Sequence, residues 1–292
     1  YDYYRGPSPF SESEAVAIRD LALEHDFVFS IVWHSSRSGR LSEKVFTSWN
    51  WEGNKPSPDL DLMKGIADSF SDLMEKEDGT GSYLSVLSGS RNGKLHDWFY
   101  RETGCIQYLV ECGTSNLQPD SLLIESTISR TKPAMVYLLD RSIGYYTDAG
   151  QVTGIVYDAS TNTPISGAEV EIEEHSGSVL KPRLTNEFGR YRRILDAGTY
   201  HLNITRKGYI PIRQSITANN SGITNVDFFL EPAPMHLVRV DLDYGVTGNL
   251  PYEVHCLVIS EFDTDTLLIN DSYIDLSLSE GSYQLVVSPT VG

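Results

Sequence analysis

One short apolar stretch decides the fold class of the first half of this chain: Phe27-Val-Phe-Ser-Ile-Val-Trp33. The run is too short for a typical helix and is rich in β-branched and aromatic residues, which is the pattern of a strand buried on both faces of a sheet. Residues 105–112 show the same pattern. We therefore predict two buried strands, each of which ends in polar residues.

Amphipathic segments surround these two strands. Apolar residues recur at helical spacing over residues 11–24, 58–74 and 119–141. Pro133 lies within the third segment, and because proline has no amide N–H we expect it to interrupt that helix. Alternating helices and buried strands are typical of a mostly parallel α/β sheet covered by helices.

The sequence pattern changes near residue 150. Short segments with a period of two alternate with turn residues, over 152–157, 168–174, 191–195, 199–205 and 226–230. Regular short strands of this kind predict an antiparallel β-sandwich.

A third segment repeats the β pattern after the proline-rich residues 231–234. Leu195-Asp-Ala-Gly-Thr-Tyr-His-Leu202 is echoed by Leu278-Ser-Glu-Gly-Ser-Tyr-Gln-Leu285. Two related sandwiches in tandem explain the echo most simply, and chance recurrence of a Gly-Tyr turn is the alternative. The predicted domains are residues 1–146, 147–232 and 233–292, and the last is short for a whole sandwich.

Composition argues against two classes of protein. The 292 residues include 23 Lys+Arg and 40 Asp+Glu, and the formal net charge is −17. Such a surface repels phosphate backbones, so we expect no nucleic-acid partner. We also expect no membrane-spanning helix, because no apolar run approaches the ~18–20 residues that a span requires. The acidic surface is compatible with an extracellular setting.

Polar side chains close both predicted strands. His34 follows the first strand and Glu111 ends the second, so both lie where sites form in open α/β sheets. A carboxylate that ends an apolar strand should have a raised pKa, as a general base near neutral pH requires. The alternatives are a histidine satisfied by backbone and a carboxylate that caps a turn. Cys112 as a nucleophile is disfavoured, because neighbouring strand residues point to opposite faces.

Several motifs resemble the zinc metallocarboxypeptidases of the pancreatic carboxypeptidase superfamily, in order and spacing. They are Gly6-Pro-Ser-Pro-Phe-Ser-Glu12, Ile31-Val-Trp-His34-Ser35, Gly93-(x3)-Asp97-Trp98-Phe-Tyr100 and Tyr108-Leu-Val-Glu111. A second set is similar to the transthyretin-like carboxypeptidase regulatory domain: Gly154-Ile-Val-Tyr-Asp158, Thr163-Pro-Ile-Ser-Gly-Ala168, Thr185-Asn-Glu-Phe-Gly-Arg-Tyr191, Gly198-Thr-Tyr200 and Gly208-Tyr209. The resemblance implies a partial mixed-sheet α/β carboxypeptidase-like domain followed by all-β, transthyretin-like or Ig-like sandwiches.

The resemblance also implies roles for individual residues. His34 would be a zinc ligand, and Glu111 would be the general base that activates a zinc-bound water. Ser35 and His96 would contact the substrate, with His96 shaping the pocket for its C-terminal side chain. The implied activity is hydrolysis of the C-terminal peptide bond of peptides and proteins by a secreted or cell-surface enzyme.

Departures from the family pattern are informative. The family takes its other two zinc ligands from His-x-x-Glu, and none of the seven histidines here has Glu three residues later. A carboxylate-binding Asn-Arg pair is also missing, and Tyr83 is the only candidate near the usual place of a flap tyrosine. We expect the missing N-terminal half of the catalytic domain, with both ligands, upstream of Tyr1, and this chain alone to be inactive.

Two other hypotheses stay open. One is a non-catalytic secreted or surface relative whose β-sandwiches bind proteins or glycans. The other concerns residues 88–93, which are rich in Gly and Ser and precede the aromatic segment Asp97-Trp-Phe-Tyr100. We expect them to form a mobile flap over a cleft.

Overall fold

The computed structural model describes residues 6–35, 42–48, 50–51, 55–87, 93–114, 121–145, 150–177, 180–242, 254–260, 264–269 and 271–289. An α/β region comes first along the chain and two all-β regions follow it. Three large clusters of buried apolar side chains accompany these regions, centred on residues such as Phe70, Leu202 and Ile274.

The α/β region contains four helices and six strands among its described residues. They are α1 (Ser13–Glu24), β1 (Phe29–Ser35), β2 (Lys44–Thr47), β3 (Asn50–Trp51), β4 (Lys55–Pro56), α2 (Leu60–Asp72), β5 (Leu84–Leu87), α3 (Leu95–Thr103), β6 (Ile106–Cys112) and α4 (Ser121–Ser142). The predicted helices and the two predicted strands therefore exist, with ends shifted by at most two residues. The short strands β2 and β5 and the helix α3 were not predicted.

The main sheet of this region has the order β1-β6-β2-β5. β1 runs parallel to β6, β2 runs antiparallel to β6, and β5 runs parallel to β2. The sheet is therefore mixed, as the family resemblance implied, and two of its three strand pairings are parallel.

Burial distinguishes the two predicted strands. β6 is buried over most of its length, but β1 is only half-buried over Phe29–Val32 and exposed over Trp33–Ser35. Within the described sheet β1 lies at the edge and pairs with β6 alone. The prediction that β1 is buried on both faces is wrong for this reason.

Helix α4 is continuous through Pro133, so the predicted interruption was wrong. A proline inside a helix removes one backbone hydrogen bond. The next turn packs against the core through the buried side chains of Ala134, Tyr137 and Leu138, and this contact holds the helix in place.

Across the described residues, no helix combines the length and apolar character needed to cross a bilayer.

The second region is a β-sandwich. Its strands are β7 (Gln151–Asp158), β8 (Glu169–Ile172), β9 (Arg190–Ile194), β10 (Gly198–Thr205), β11 (Ile212–Ala218), β12 (Ile223–Asn225) and β13 (Phe228–Leu230). One sheet has the order β11-β10-β8, and the other joins β12, β7, β13 and β9. All five predicted strands are present. The pairing is not wholly antiparallel, because β12 and β13 both run parallel to β7.

Gly154 in β7 leaves no room for a side chain. A Cβ atom there would lie 1.7 Å from the carbonyl oxygen of Val226, which also accepts a hydrogen bond from the Tyr191 hydroxyl at 2.7 Å. We expect Gly154→Ala to destabilise the protein by about 1–3 kcal/mol, since the backbone must shift. The urea midpoint measures this effect. Gly65→Ala is the control, because a Cβ there meets nothing within 4 Å and alanine favours a helix. Equal midpoints for the two variants would contradict the argument.

The third region also has two sheets among its described residues. β14 (Met235–Asp241) pairs with β17 (Tyr273–Ser279), while β15 (Val254–Ile259) lies between β16 (Thr264–Ile269) and β18 (Gln284–Pro289). The echoed segments have the same structure, a turn that passes from one sheet to the other. The hydroxyls of Tyr200 and Tyr283 each donate to the carbonyl four residues earlier, at 3.0 and 3.2 Å. This shared hydrogen bond supports the prediction of related sandwiches.

Candidate active site

The parallel pairing of β1 and β6 brings His34 and Glu111 together. The two residues are register partners, and Nδ1 of His34 lies 3.9 Å from Oε1 of Glu111. The His34 side chain is 51% exposed and that of Glu111 is 13% exposed. The ends of the two strands therefore meet at one edge of the sheet, while the roles of the two residues stay predictions.

Glu111 combines partial burial with an unused oxygen. Burial raises the pKa of its carboxyl group above the ordinary value, and the nearby His34 partly opposes that rise. Its Oε2 atom is buried and has no hydrogen-bond partner within the described residues. A carboxylate with a raised pKa and a free oxygen can accept a proton from a bound water molecule.

The end of β6 is fixed by groups distant in sequence. The amide of Glu43 donates to the carbonyl of Glu111 at 2.8 Å, and the amide of Gly113 donates to the Tyr83 hydroxyl at 3.2 Å. The Glu77 carboxylate accepts a hydrogen bond from the backbone amide of Thr114 at 3.1 Å. Sequence reasoning missed these supporting roles, because no local spacing connects residues that lie 30 or more positions apart.

Tyr83 does not fit the role of a flap tyrosine. It is 2% exposed and belongs to the main core, and burial raises the pKa of its hydroxyl to about 12. Gly93 is described, but residues 88–92 of the predicted flap lie outside the described residues. Tyr83 lies just before β5, where the chain passes through the core, and for this reason its side chain is buried and is not part of a flap.

Helix α3 places His96 close to the pair. His96 lies in its first turn, is 3% exposed and has no hydrogen-bond partner for Nε2 among the described residues. Burial lowers the pKa of its imidazole to about 4; the carboxylate of Asp97 partly opposes this shift, and the charge of Lys94 adds to it. His96 is therefore a neutral imidazole near neutral pH.

The residues next to His96 make structural contacts. Asp97 accepts a hydrogen bond from the Ser48 hydroxyl at 2.9 Å, and Trp98 packs edge-on against Phe10 with ring centres 5.2 Å apart. These contacts anchor Asp97 and Trp98 within the fold.

Two further candidates lie at the strand ends. Ser35 is exposed and is the register partner of Cys112. Burial raises the pKa of the Cys112 thiol to about 12, and the carboxylate of Glu111 adds to that rise. Because a thiol rather than a thiolate is present near neutral pH, Cys112 is a poor nucleophile.

A zinc ion fits these residues only in part. His34 presents an exposed imidazole at a strand end, which suits one ligand position. Within the described residues, no three His, Cys, Asp or Glu side chains converge on a point that could hold a metal. A catalytic zinc requires three protein ligands and an open position, so the described residues do not complete a zinc site.

Comparison with known proteins defines the class. Residues 1–134 match the zinc carboxypeptidase family, and residues 151–231 match the carboxypeptidase regulatory-like domain. Along this chain, a segment similar to the zinc carboxypeptidases is therefore followed by a segment that matches the carboxypeptidase regulatory-like domain, which confirms the resemblance found in the sequence. We call residues 151–231 the regulatory-like domain below.

Individual relatives agree with this class. Carboxypeptidase D of Mus musculus is 25% identical over 237 residues, which cover 75% of this chain and 16% of that protein. The carboxypeptidase N catalytic chain of Rattus norvegicus is 24% identical over 198 residues, which cover 65% of this chain and 41% of that protein. The matched part is thus less than half of either relative. A streptococcal ancillary pilin structure aligns with a TM-score of 0.33 and 14% identity, over 48% of this chain and 54% of its own, too weak a similarity to compare folds.

Proposed function

We propose that this chain supplies the general base and one zinc ligand of a metallocarboxypeptidase that removes C-terminal residues from peptides and proteins. One observation carries the proposal: the register of β1 and β6 sets Glu111 beside His34 inside a segment that matches the zinc carboxypeptidase family. The alternative, a non-catalytic relative with binding sandwiches, has no comparable observation in its favour.

Each residue has a stated task in this proposal. Glu111 takes a proton from the attacking water at Oε2 and passes it to the leaving amine. The imidazole of His34 would hold the metal as one of its ligands, and a bound zinc ion would supply polarisation of the scissile carbonyl and a more acidic water. His96, neutral and buried, contacts the C-terminal side chain of the substrate, and Ser35 contacts the substrate backbone.

The proposal requires zinc ligands beyond those that the described residues supply. Three protein ligands hold a catalytic zinc, and the described residues offer one candidate among them. We therefore infer that the other two ligands, and the group that binds the substrate carboxylate, come from a further segment of the same secreted or cell-surface protein. The function should be tested on the full-length natural protein.

We expect the full-length protein to release C-terminal residues from peptides, to lose this activity with a zinc chelator and to regain it with added Zn²⁺. His34→Ala should remove both stoichiometric zinc and activity, because two remaining ligands hold the ion weakly. His201→Ala is the control, since His201 lies in the regulatory-like domain and contacts Glu174 instead. Metal analysis and a peptide-release assay give the answer. A wild-type protein without zinc would support the non-catalytic alternative, and stoichiometric zinc in His34→Ala would remove His34 from the ligand set.

A further inference from the structure

Helix α3 connects the candidate active site with the regulatory-like domain. Its first turn carries His96, and its last turn is hydrogen-bonded to Lys181 and Arg183 of the regulatory-like domain. A nine-residue helix is a rigid rod about 13 Å long, so a movement at one end is transmitted to the other.

Arg183 of the regulatory-like domain binds the carboxyl end of α3. Its guanidinium donates to the carbonyl of Tyr100 at 2.6 Å and to the carbonyl of Arg101 at 3.0 Å. The amide of Lys181 also donates to the carbonyl of Arg101, at 3.0 Å. The Tyr100 carbonyl also accepts the C-cap amide of Gly104 at 3.1 Å, and a positive charge at the carboxyl end of a helix is favourable. The helix is therefore capped from a different domain.

The next residue, Gly104, leaves the space that Arg183 occupies. Gly104 has a φ of +77°, and a Cβ atom at this position would lie 2.5 Å from Nε of Arg183. Burial, with the repulsion of Arg193, lowers the pKa of Arg183 to about 10. The guanidinium thus keeps its charge at neutral pH, and the cap is present under physiological conditions.

A second contact holds the same helix. The Tyr100 hydroxyl donates to Asp59 at 2.7 Å, and the other carboxylate oxygen of Asp59 contacts Nδ1 of His175 in the regulatory-like domain. Asp59 is the N-cap residue of α2. The regulatory-like domain therefore contacts α3 directly through Arg183 and indirectly through His175 and Asp59.

We propose that Arg183 is a positioning residue for the candidate active site, which acts through α3 to set where His96 lies. The proposal rests on the proposed function, because His96 is assigned to the substrate pocket there. It makes the regulatory-like domain a structural part of the site that selects the C-terminal residue.

The test compares Arg183→Met with Arg213→Met in the full-length protein. Arg213 lies in the same domain and its guanidinium donates two hydrogen bonds to Glu173, also in that domain, so it is a matched control. We expect Arg183→Met to raise KM about tenfold for the preferred C-terminal residue with kcat changed less than about threefold, as a small displacement of a binding group would. Arg183→Lys should recover part of the loss, since lysine can donate to one carbonyl.

Two measurements stay informative if the proposed function fails. Hydrogen exchange of the α3 amides should become at least tenfold faster in Arg183→Met, and the NMR signals of the His96 ring should shift, with neither change in Arg213→Met. An absence of peptidase activity in the wild type would remove the proposed function, and these two signals would still decide the role of Arg183. Faster exchange with unshifted His96 signals and unchanged KM would overturn the proposal, as would unchanged exchange.

Discussion

Replacing Glu111 by Gln in the full-length protein is expected to lower kcat by about two to four orders of magnitude, the range that a positioned general base contributes. Gln has the same shape as Glu but cannot take up the proton. The Oε2 atom of Glu111 is buried, lacks a partner among the described residues and lies on a strand whose end is fixed. The exchange therefore changes the chemistry and leaves the geometry intact.

Zinc content separates a general base from a metal ligand. Glu111→Gln should keep stoichiometric zinc, measured by mass spectrometry of the metal, while peptide release is measured on the same sample. Glu169→Gln is the control. Burial and the charge of Glu171 raise the pKa of Glu169, so it resembles Glu111 in this respect, but it lies on β8 of the regulatory-like domain. Loss of zinc in Glu111→Gln would make Glu111 a ligand, and an unchanged kcat would exclude it as the base.

The residues at the candidate site could be predicted because their signal is local. Each apolar run marks a strand, and the first polar residue after it marks the strand end. His34 and Glu111 follow from this pattern without a knowledge of the fold. His34 and Glu111 lie side by side because the two strands pair in parallel. A helix between two strands along the chain predicts this parallel pairing.

The parts that sequence reasoning missed have no such local signal. β2 and β5 contain four residues each, too few to show a period. Tyr83 and Glu43 reach the end of β6 only because the sheet order β1-β6-β2-β5 brings distant segments together. The exposure of β1 likewise depends on its place in the sheet, and its composition says nothing about that place.

The contacts between domains are the hardest to predict. Asp59 and His175 are 116 residues apart, and each alone is an ordinary polar residue at the edge of a helix or turn. A helix N-terminus preceded by aspartate predicts a capping carboxylate. Here the side chain of Asp59 makes no capping hydrogen bond and binds the neighbouring domain instead. Tertiary contacts have overridden the local preference.

The buried carboxylate of Asp59 is therefore expected to contribute strongly to stability. It is 7% exposed and accepts hydrogen bonds from Tyr100 and His175, and Arg193 lies 3.9 Å away. Asp59→Ala leaves these groups without their shared partner, which should lower the free energy of unfolding by about 3 kcal/mol. Asp68→Ala is the control on the same helix, because its exposed pair with Lys64 is worth only about 0.3–0.5 kcal/mol. Urea unfolding at pH 7 measures both.

The effect of Asp59 should also depend on pH in a defined direction. Burial alone would raise the pKa of this carboxyl group, but the hydrogen bond with His175 and the charge of Arg193 outweigh burial and lower it. A pKa that is lower in the folded state stabilises the protein fully above the unfolded value of about 3.9 and loses that stabilisation as the pH falls through the folded value. The difference in unfolding free energy between wild type and Asp59→Ala should therefore hold between about pH 5 and 7 and shrink below about pH 4. A difference that grows on acidification, or one no larger than that of Asp68→Ala at pH 7, would contradict this account of the contact between domains.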